Sequence, residues 1–332
     1  MKICIVKLSA LGDIIHTMVS LQFIKKLIKD IEIDWIVEES FADILSNNKD
    51  IDKIIPINLK SIKRDKFKIF SQIKNLNKIS KNRYDVVIDA QGLIKSAIVS
   101  KIVGNKIVGS YIAGFDKNST RESAASWFYD KKIAISYDKN VIIRNCHLIA
   151  STLDIDISTK DILSKQPFLY SNGYKDESNN IIFVVGASKR NKIYPKENFL
   201  LLANILKQPI DVIWANDYEK KVAIYLSNHS SYVDMANRLT LDELKYKISK
   251  TKLLIGGDTG PTHMAWALNR PSITIYGNTP AKRNSYETDI NKTIDSNSFV
   301  DANKLDKDDF SIKNIAPQDI ANIANKLLKG KI

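Results

Sequence analysis

The chain is short of cysteine and glycine, and it has no long apolar run; each scarcity closes off a class of explanation. Its 332 residues include two cysteines, Cys4 and Cys146. They lie far apart inside apolar stretches, so both read as small buried hydrophobes and not as parts of a disulfide framework or metal cluster. No apolar segment reaches the roughly 18 residues that a membrane span needs, and the N-terminus lacks a basic region followed by a small-residue cleavage site. A cytoplasmic location is therefore expected. Twelve glycines are few for this length, and neither G-x-G-x-x-G nor G-x-x-x-x-G-K follows the first strand, so nucleotide binding by those two mechanisms is not supported. No repeat of fixed solenoid period is visible.

Positive charge is what the chain has in excess, with 50 Lys and Arg against 37 acids and a net charge of +13. Nucleic acid, an anionic membrane surface or a small acidic substrate would each use it, and so would a merely solvated, Lys-rich surface. Nucleic acid is disfavoured because neither an aromatic-interleaved basic strand nor a recognition helix is present. Hydrophobic residues at 44% and charged residues at 26% describe a folded, soluble chain. Its length suits two domains, with a site in the cleft between them.

Short β-branched runs alternate with amphipathic stretches. Strands are expected at 2–6, 32–37, 53–57, 85–89 and 106–110, then at 181–185, 211–214, 252–255 and 272–276, with helices such as 196–207 and 241–249 between them. This order predicts an α/β protein of two doubly wound parallel sheets. The expected domains are 1–155 and 180–332, joined by a linker at 156–179, with a closing helix at 317–328 able to pack back on the first domain. Ligands in such sheets sit beyond the carboxyl ends of strands, so the informative residues should follow strands.

Three such places stand out. In Lys7-Leu8-Ser9-Ala10-Leu11-Gly12-Asp13, Gly12 would let the backbone turn before a helix starting near Ile14. Asp13 then reads either as the helix N-cap or as a general base able to accept a proton from a hydroxyl substrate. In Gly256-Gly257-Asp258-Thr259-Gly260-Pro261, a strand ends and a helix opens with proline early in its first turn. That is either an ordinary capped helix or an anion site made of free backbone N–H groups, of which Pro261 supplies none. In the stretch from Gly186 to Phe199, Lys189, Arg190 and Lys192 follow a strand end, either as solvated surface or as an anion-binding cluster. No convincing Asp-x-Asp metal motif stands at a strand end; Asp154-Ile155-Asp156, where the expected linker begins, reads as surface.

These residues also carry a family resemblance. Lys7-x-Ser9-x-x-Gly12-Asp13 with His16, the stretch Trp35 to Ala42, Asp89 to Ser96, Arg121 to Tyr129, Lys192, Asp258 to His263 and Tyr276 to Pro280 resemble the lipopolysaccharide heptosyltransferases, in the family's own order. The blocks beginning at Asp89 and Arg121 resemble heptosyltransferase I in particular. The resemblance implies a GT-B fold, two Rossmann-like domains facing across a cleft, with the acceptor held mainly by the first and the sugar nucleotide mainly by the second. It implies inverting transfer of L-glycero-D-manno-heptose from ADP-heptose to a 3-deoxy-D-manno-octulosonic acid (Kdo) residue of Kdo-lipid A, with no metal or other cofactor.

Carried over residue by residue, Asp13 matches the family's base and Lys192 the lysine at the donor phosphate. Ser188, Asp258, Thr259, Gly260 and His263 fall in the donor region, and Glu219 is a candidate for the ribose hydroxyls. The base of the nucleotide is placed only loosely, around 214–219 and 276–279. Lys7, Ser9 and Gly12, in the loop beside the base, are expected to bind the acceptor. Gln91, Lys95 and Arg121, together with Lys60 and Arg64 of a basic cluster, are expected on the acceptor side, where Kdo carries a carboxylate and lipid A carries phosphates. A lipid acceptor implies transient contact with the anionic inner-membrane surface. Heptosyltransferases II and III, which extend an existing heptose, are the nearer alternative; Asp89, Gln91, Gly92, Lys95 and Arg121 argue against them. A non-catalytic nucleotide-binding or nucleic-acid-binding module is the remote one.

Overall fold

Strands that are buried on both faces read as unbroken apolar runs, and such runs assemble here into two six-stranded parallel sheets. The computed structural model describes residues 1–104, 106–174, 179–298, 300–302 and 304–330. The chain divides into two compact units, Met1–Phe168 and Leu169–Ile332.

In the first unit the strands are β1 (Lys2–Val6), β2 (Glu32–Glu38), β3 (Lys53–Ile57), β4 (Val86–Asp89), β5 (Tyr111–Phe115) and β6 (Lys131–Ile133), in the order β3-β2-β1-β4-β5-β6. The helices are α1 (Leu11–Leu27), α2 (Lys60–Arg64), α3 (Lys68–Ile79), α4 (Ile94–Val103), α5 (Val141–Leu153) and α6 (Thr159–Leu163). Leu76 and Ile79 of α3, Val99 and Val103 of α4, and Ala125 and Tyr129 around the 3-10 turn Ser123–Phe128 close one core on this sheet.

The second unit repeats the plan with β7 (Ile181–Val184), β8 (Ile210–Ile213), β9 (Val233–Met235), β10 (Leu253–Gly257), β11 (Ser272–Tyr276) and β12 (Asn291–Asp295), in the order β12-β11-β10-β7-β8-β9. Its helices are α7 (Lys196–Leu206), α8 (Asp217–His229), α9 (Leu241–Lys250), α10 (Gly260–Ala267), α11 (Ala281–Asn284) and α12 (Pro317–Leu328). Both orders are the doubly wound arrangement, whose winding reverses between the first and fourth strands of each unit.

Two expectations need correction. The strand read at 106–110 is a turn: Ser110 N–H bonds Ile107 O at 3.2 Å, Gly109 has a φ of +82°, and Val108 is fully exposed. The strand begins at Tyr111, and it contains Gly114 because a Cβ there would collide with the Tyr129 ring. The first part of the expected linker belongs to the first unit, where Gln166 N–H donates to Gln22 Oε1 at 3.0 Å and Asn48 Nδ2 donates to Phe168 O at 3.1 Å. Residues 175–178 of that linker lie outside the described residues. The closing helix α12 packs on α7, β10 and β11 of its own unit; Ile320, Ala321 and Ala324 are its buried face.

Candidate functional site

In the first unit the loops after β1 and β4 are tied together at the winding reversal. Lys7 is buried, and its Nζ donates to Ala90 O at 2.7 Å. Gln91 Oε1 accepts from the N–H groups of both Leu8 and Ser9 at 3.0 Å. Asp89 in turn fixes the Gln91 loop: its Oδ1 accepts from Gln91 N–H at 2.9 Å and Gly92 N–H at 3.1 Å, while the Tyr129 hydroxyl donates to Oδ2 at 2.8 Å. Burial pushes the Asp89 carboxyl pKa up from its ordinary value, against these hydrogen bonds. Gly92 has a φ of +68° and leaves 2.6 Å between a built Cβ and Thr120 Oγ1, so only glycine fits the turn.

This tie sets the entry of α1, which starts earlier than expected. Ala10 is the N-cap, so Gly12 lies inside the first helical turn and not in a turn before it. Asp13 is correspondingly not the cap. From the third helical position its Oδ2 accepts the Ala10 N–H at 3.1 Å, satisfying one donor that the helix start would otherwise leave unmet. The half-buried carboxylate sits at the positive end of the helix dipole.

Of the five cations expected on the acceptor side, Lys7 is buried with its Nζ on Ala90 O, whereas Lys60, Arg64, Lys95 and Arg121 are exposed. Lys60 opens α2, with Nζ 2.9 Å from Ser40 Oγ and 4.6 Å above the Phe41 ring. Arg64 ends the same helix, and Lys95 stands in the first turn of α4. Arg121 precedes Glu122, whose Oε2 accepts the Ile94 N–H at 2.7 Å.

In the second unit the corresponding loops meet through charge. Asp258, just after β10, is 8% exposed at its side chain and receives donors on both oxygens. Lys192 Nζ is 2.6 Å, Thr279 Oγ1 3.1 Å and Asn284 Nδ2 3.2 Å from Oδ2, and His263 Nε2 is 3.2 Å from Oδ1. Burial alone would raise the Asp258 pKa. The His263 hydrogen bond and the Lys192 charge outweigh it and hold the carboxyl well below the usual range. Lys192 comes from the 3-10 turn Arg190–Lys192 after β7, and the backbone passes so close that a Cβ on Gly257 would be 2.8 Å from Lys192 O.

The helix start beyond Asp258 is as expected, with Thr259 as N-cap, Gly260 as first residue and Pro261 in the first turn. Thr262 Oγ1 accepts the Thr259 N–H at 3.2 Å, while Thr259 Oγ1 is buried without a hydrogen-bond partner. Ser188 is exposed in the loop after β7. Glu219 lies against Gly186 at the end of β7, where its Oε2 accepts the Ala215 N–H and its Oε1 the Asn216 Nδ2, both at 2.7 Å. Sequence reading placed Thr279 only loosely and missed Asn284. Nothing in the spacing of the four-residue α11 points back to Asp258, 26 residues earlier.

The model of glycosyltransferase family 9 (heptosyltransferase) matches residues 73–309. Lipopolysaccharide heptosyltransferase 1 of Campylobacter coli is 40% identical over 98% of this chain and 99% of its own length. The chain belongs to glycosyltransferase family 9. Lipopolysaccharide heptosyltransferase 1 of Salmonella typhimurium is 31% identical, covering 84% of this chain and 89% of that protein. Among solved structures, the E. coli heptosyltransferase WaaC with ADP superposes with a TM-score of 0.82 at 25% identity, over 98% of this chain and all of that one. The same enzyme with ADP-2-deoxy-2-fluoro heptose gives 0.78. The two sheets are thus the two Rossmann-like domains of the family's GT-B fold, and the chain is a glycosyltransferase, as its motifs implied.

Proposed function

We propose that this glycosyltransferase moves L-glycero-D-manno-heptose from ADP-heptose to a Kdo residue of Kdo-lipid A. Transfer inverts the anomeric centre, needs no metal, and takes place in the cytoplasm at the face of the inner membrane. The observation that carries the reading is the 40% identity, over nearly the whole of both chains, to a lipopolysaccharide heptosyltransferase 1.

The chemistry is a single displacement. The Kdo hydroxyl oxygen attacks the anomeric carbon of the heptose and forms the new C–O bond, while the bond from that carbon to the phosphate oxygen breaks. The electron pair leaves with ADP. Asp13 accepts the hydroxyl proton as nucleophilicity develops. Negative charge grows on the departing diphosphate, where Lys192 and the N-terminus of α10 supply fixed positive potential in the role a divalent ion would otherwise take. Asp258, itself bonded by His263, holds Lys192 in place. Lys60, Arg64, Lys95 and Arg121 provide exposed cations for the acceptor's carboxylate and phosphates.

The test is to supply ADP-heptose and Kdo-lipid A in EDTA and follow ADP release and the lipid product. Heptosylated Kdo-lipid A of inverted configuration is the expected result. An enzyme inactive on Kdo-lipid A that extends an already heptosylated core would move the chain to the heptosyltransferase II or III activity. Activity only after adding back a divalent ion would overturn the metal-free route.

A further inference from the structure

The positive charge of the chain is not spread evenly. Residues 60–83 hold nine cations and a single acid, Asp65, and so account for more than half of the net excess. Four of them, Lys60, Lys63, Arg64 and Lys66, lead into α3, and Lys74 and Lys78 lie on it.

On α3 the inward face is ordinary: Leu76 and Ile79 are buried in the core. The outward face is not. Phe67 at its N-cap is 83% exposed, Phe70 is 71% exposed, and Ile73 completes the i, i+3 line on the same side. Lys74 and Lys78 fall beside that line, so the exposed face alternates large apolar side chains with cations. A helix needing only solubility would put charge there and bury both phenylalanines. On the same side of the sheet, beyond α4, the 3-10 turn Ser123–Phe128 presents Trp127 at 80% exposure.

We propose that α2 and the outer face of α3 form a docking surface for an anionic lipid bilayer, with Phe67 and Phe70 entering the headgroup region and the surrounding lysines paired with lipid phosphates. The occupant follows from charge complementarity. Aromatic side chains among cations, with almost no acid nearby, match an interface that is apolar beneath and negative on top. Among the described residues no helix is long and apolar enough to cross a membrane, so contact of this kind lies on the surface and does not span it. The proposal deepens the functional reading above and rests on its lipid acceptor: docking would hold the enzyme where that acceptor is concentrated.

The experiment is co-sedimentation of the full chain with phosphatidylcholine vesicles, with and without 30% phosphatidylglycerol (about a third anionic lipid), at low and high salt. Beside it runs the double variant Phe67→Ser, Phe70→Ser. Wild type should bind the anionic vesicles, lose binding in high salt, and bind at least about tenfold more tightly than the variant. The variant should turn over a deacylated, water-soluble acceptor at the wild-type rate while slowing on acceptor embedded in vesicles. Because both phenylalanines are exposed, the variant should melt with wild type; Lys74→Glu, Lys78→Glu gives a second, independent weakening if it does not. Equal binding by wild type and both variants, or none by wild type, overturns the proposal. So does a wild-type dimer that the serine variant dissociates without any lipid binding, which would assign the face to self-association. Vesicle binding that depends on Phe67 and Phe70 in a protein that transfers no heptose to Kdo-lipid A would uphold the surface and fail the functional reading instead.

Discussion

Lys192 Nζ lies 2.6 Å from Asp258 Oδ2, joining loops that are 66 residues apart in sequence at the point where the second sheet reverses its winding. The pair is largely withdrawn from water, with side-chain exposures of 16% and 8%. Replacing Asp258 by Asn leaves the lysine without its counter-charge, which should cost about 1–3 kcal/mol of stability, measured by chemical denaturation. With Lys192 no longer held, donor KM should rise and kcat should fall.

The pH dependence of that variant follows from the direction of the Asp258 shift. Its folded pKa lies well below the ordinary unfolded value of about 3.9. A depressed carboxyl contributes stability that is fully present above the unfolded value and is lost as pH falls through the folded one. The stability gap between wild type and Asp258→Asn should therefore stay level for this group above about pH 4 and narrow progressively below it. A gap that widens on acidification would contradict the assignment.

Asp13→Asn separates helix-start chemistry from catalysis. The amide oxygen can still accept the Ala10 N–H, so the fold should change by less than about 1 kcal/mol. An amide cannot take a proton, and loss of a general base lowers turnover by about 10²–10⁴-fold. Steady-state ADP release together with a melting curve checks both halves. Wild-type turnover in the mutant would remove Asp13 from the mechanism.

Gln91→Ala should act at a distance from the chemistry. The side chain is the shared acceptor for Leu8 and Ser9 N–H, and its loss leaves two backbone donors of the loop before α1 unmet. The expected cost is about 1–3 kcal/mol. Acceptor KM should rise while donor KM, governed by the other unit, stays near wild type.

Gly114→Ala and Gly186→Ala should separate stability from donor binding. Alanine at 114 meets the rigid Tyr129 ring inside the first core and should destabilise by about 1–3 kcal/mol, read from the denaturation midpoint. Gly186→Ala meets the mobile Glu219 side chain and not a ring, so it should cost less stability than Gly114→Ala, while the displaced carboxylate, losing its hold on Ala215 N–H, raises donor KM.

Strands flanked by neighbours on both sides were mostly legible, β5 excepted, and so was the edge strand β3. β1, β4, β7 and β10 carry unbroken apolar runs because they are covered on both faces, and the loops after them are the ones whose residues read as functional. Short edge strands escaped notice: β6 and β9 have three residues each, and β12 is the polar sequence Asn-Lys-Thr-Ile-Asp. β5 lies five residues further on than expected, and its Gly114 is a point of close approach to Tyr129. Within the site, Lys192 and Asp258 were each legible from position after a strand, but their pairing was not. Sequence spacing says which residues follow strands and nothing about which of two adjacent loops will place a cation on which carboxylate.

The lysine held by Asp258 has one more consequence. Most cations that receive a phosphate must first shed their water, and that loss weakens the contact they go on to make. Lys192 has already exchanged much of its hydration for a carboxylate during folding. If Lys192 takes the donor diphosphate as proposed, the arrival substitutes one oxyanion for another, with Thr279, Asn284 and His263 left to satisfy the carboxylate. On the proposed donor binding, the second unit would work as an ion exchanger, its lysine passing from its own carboxylate to the diphosphate and back as ADP leaves.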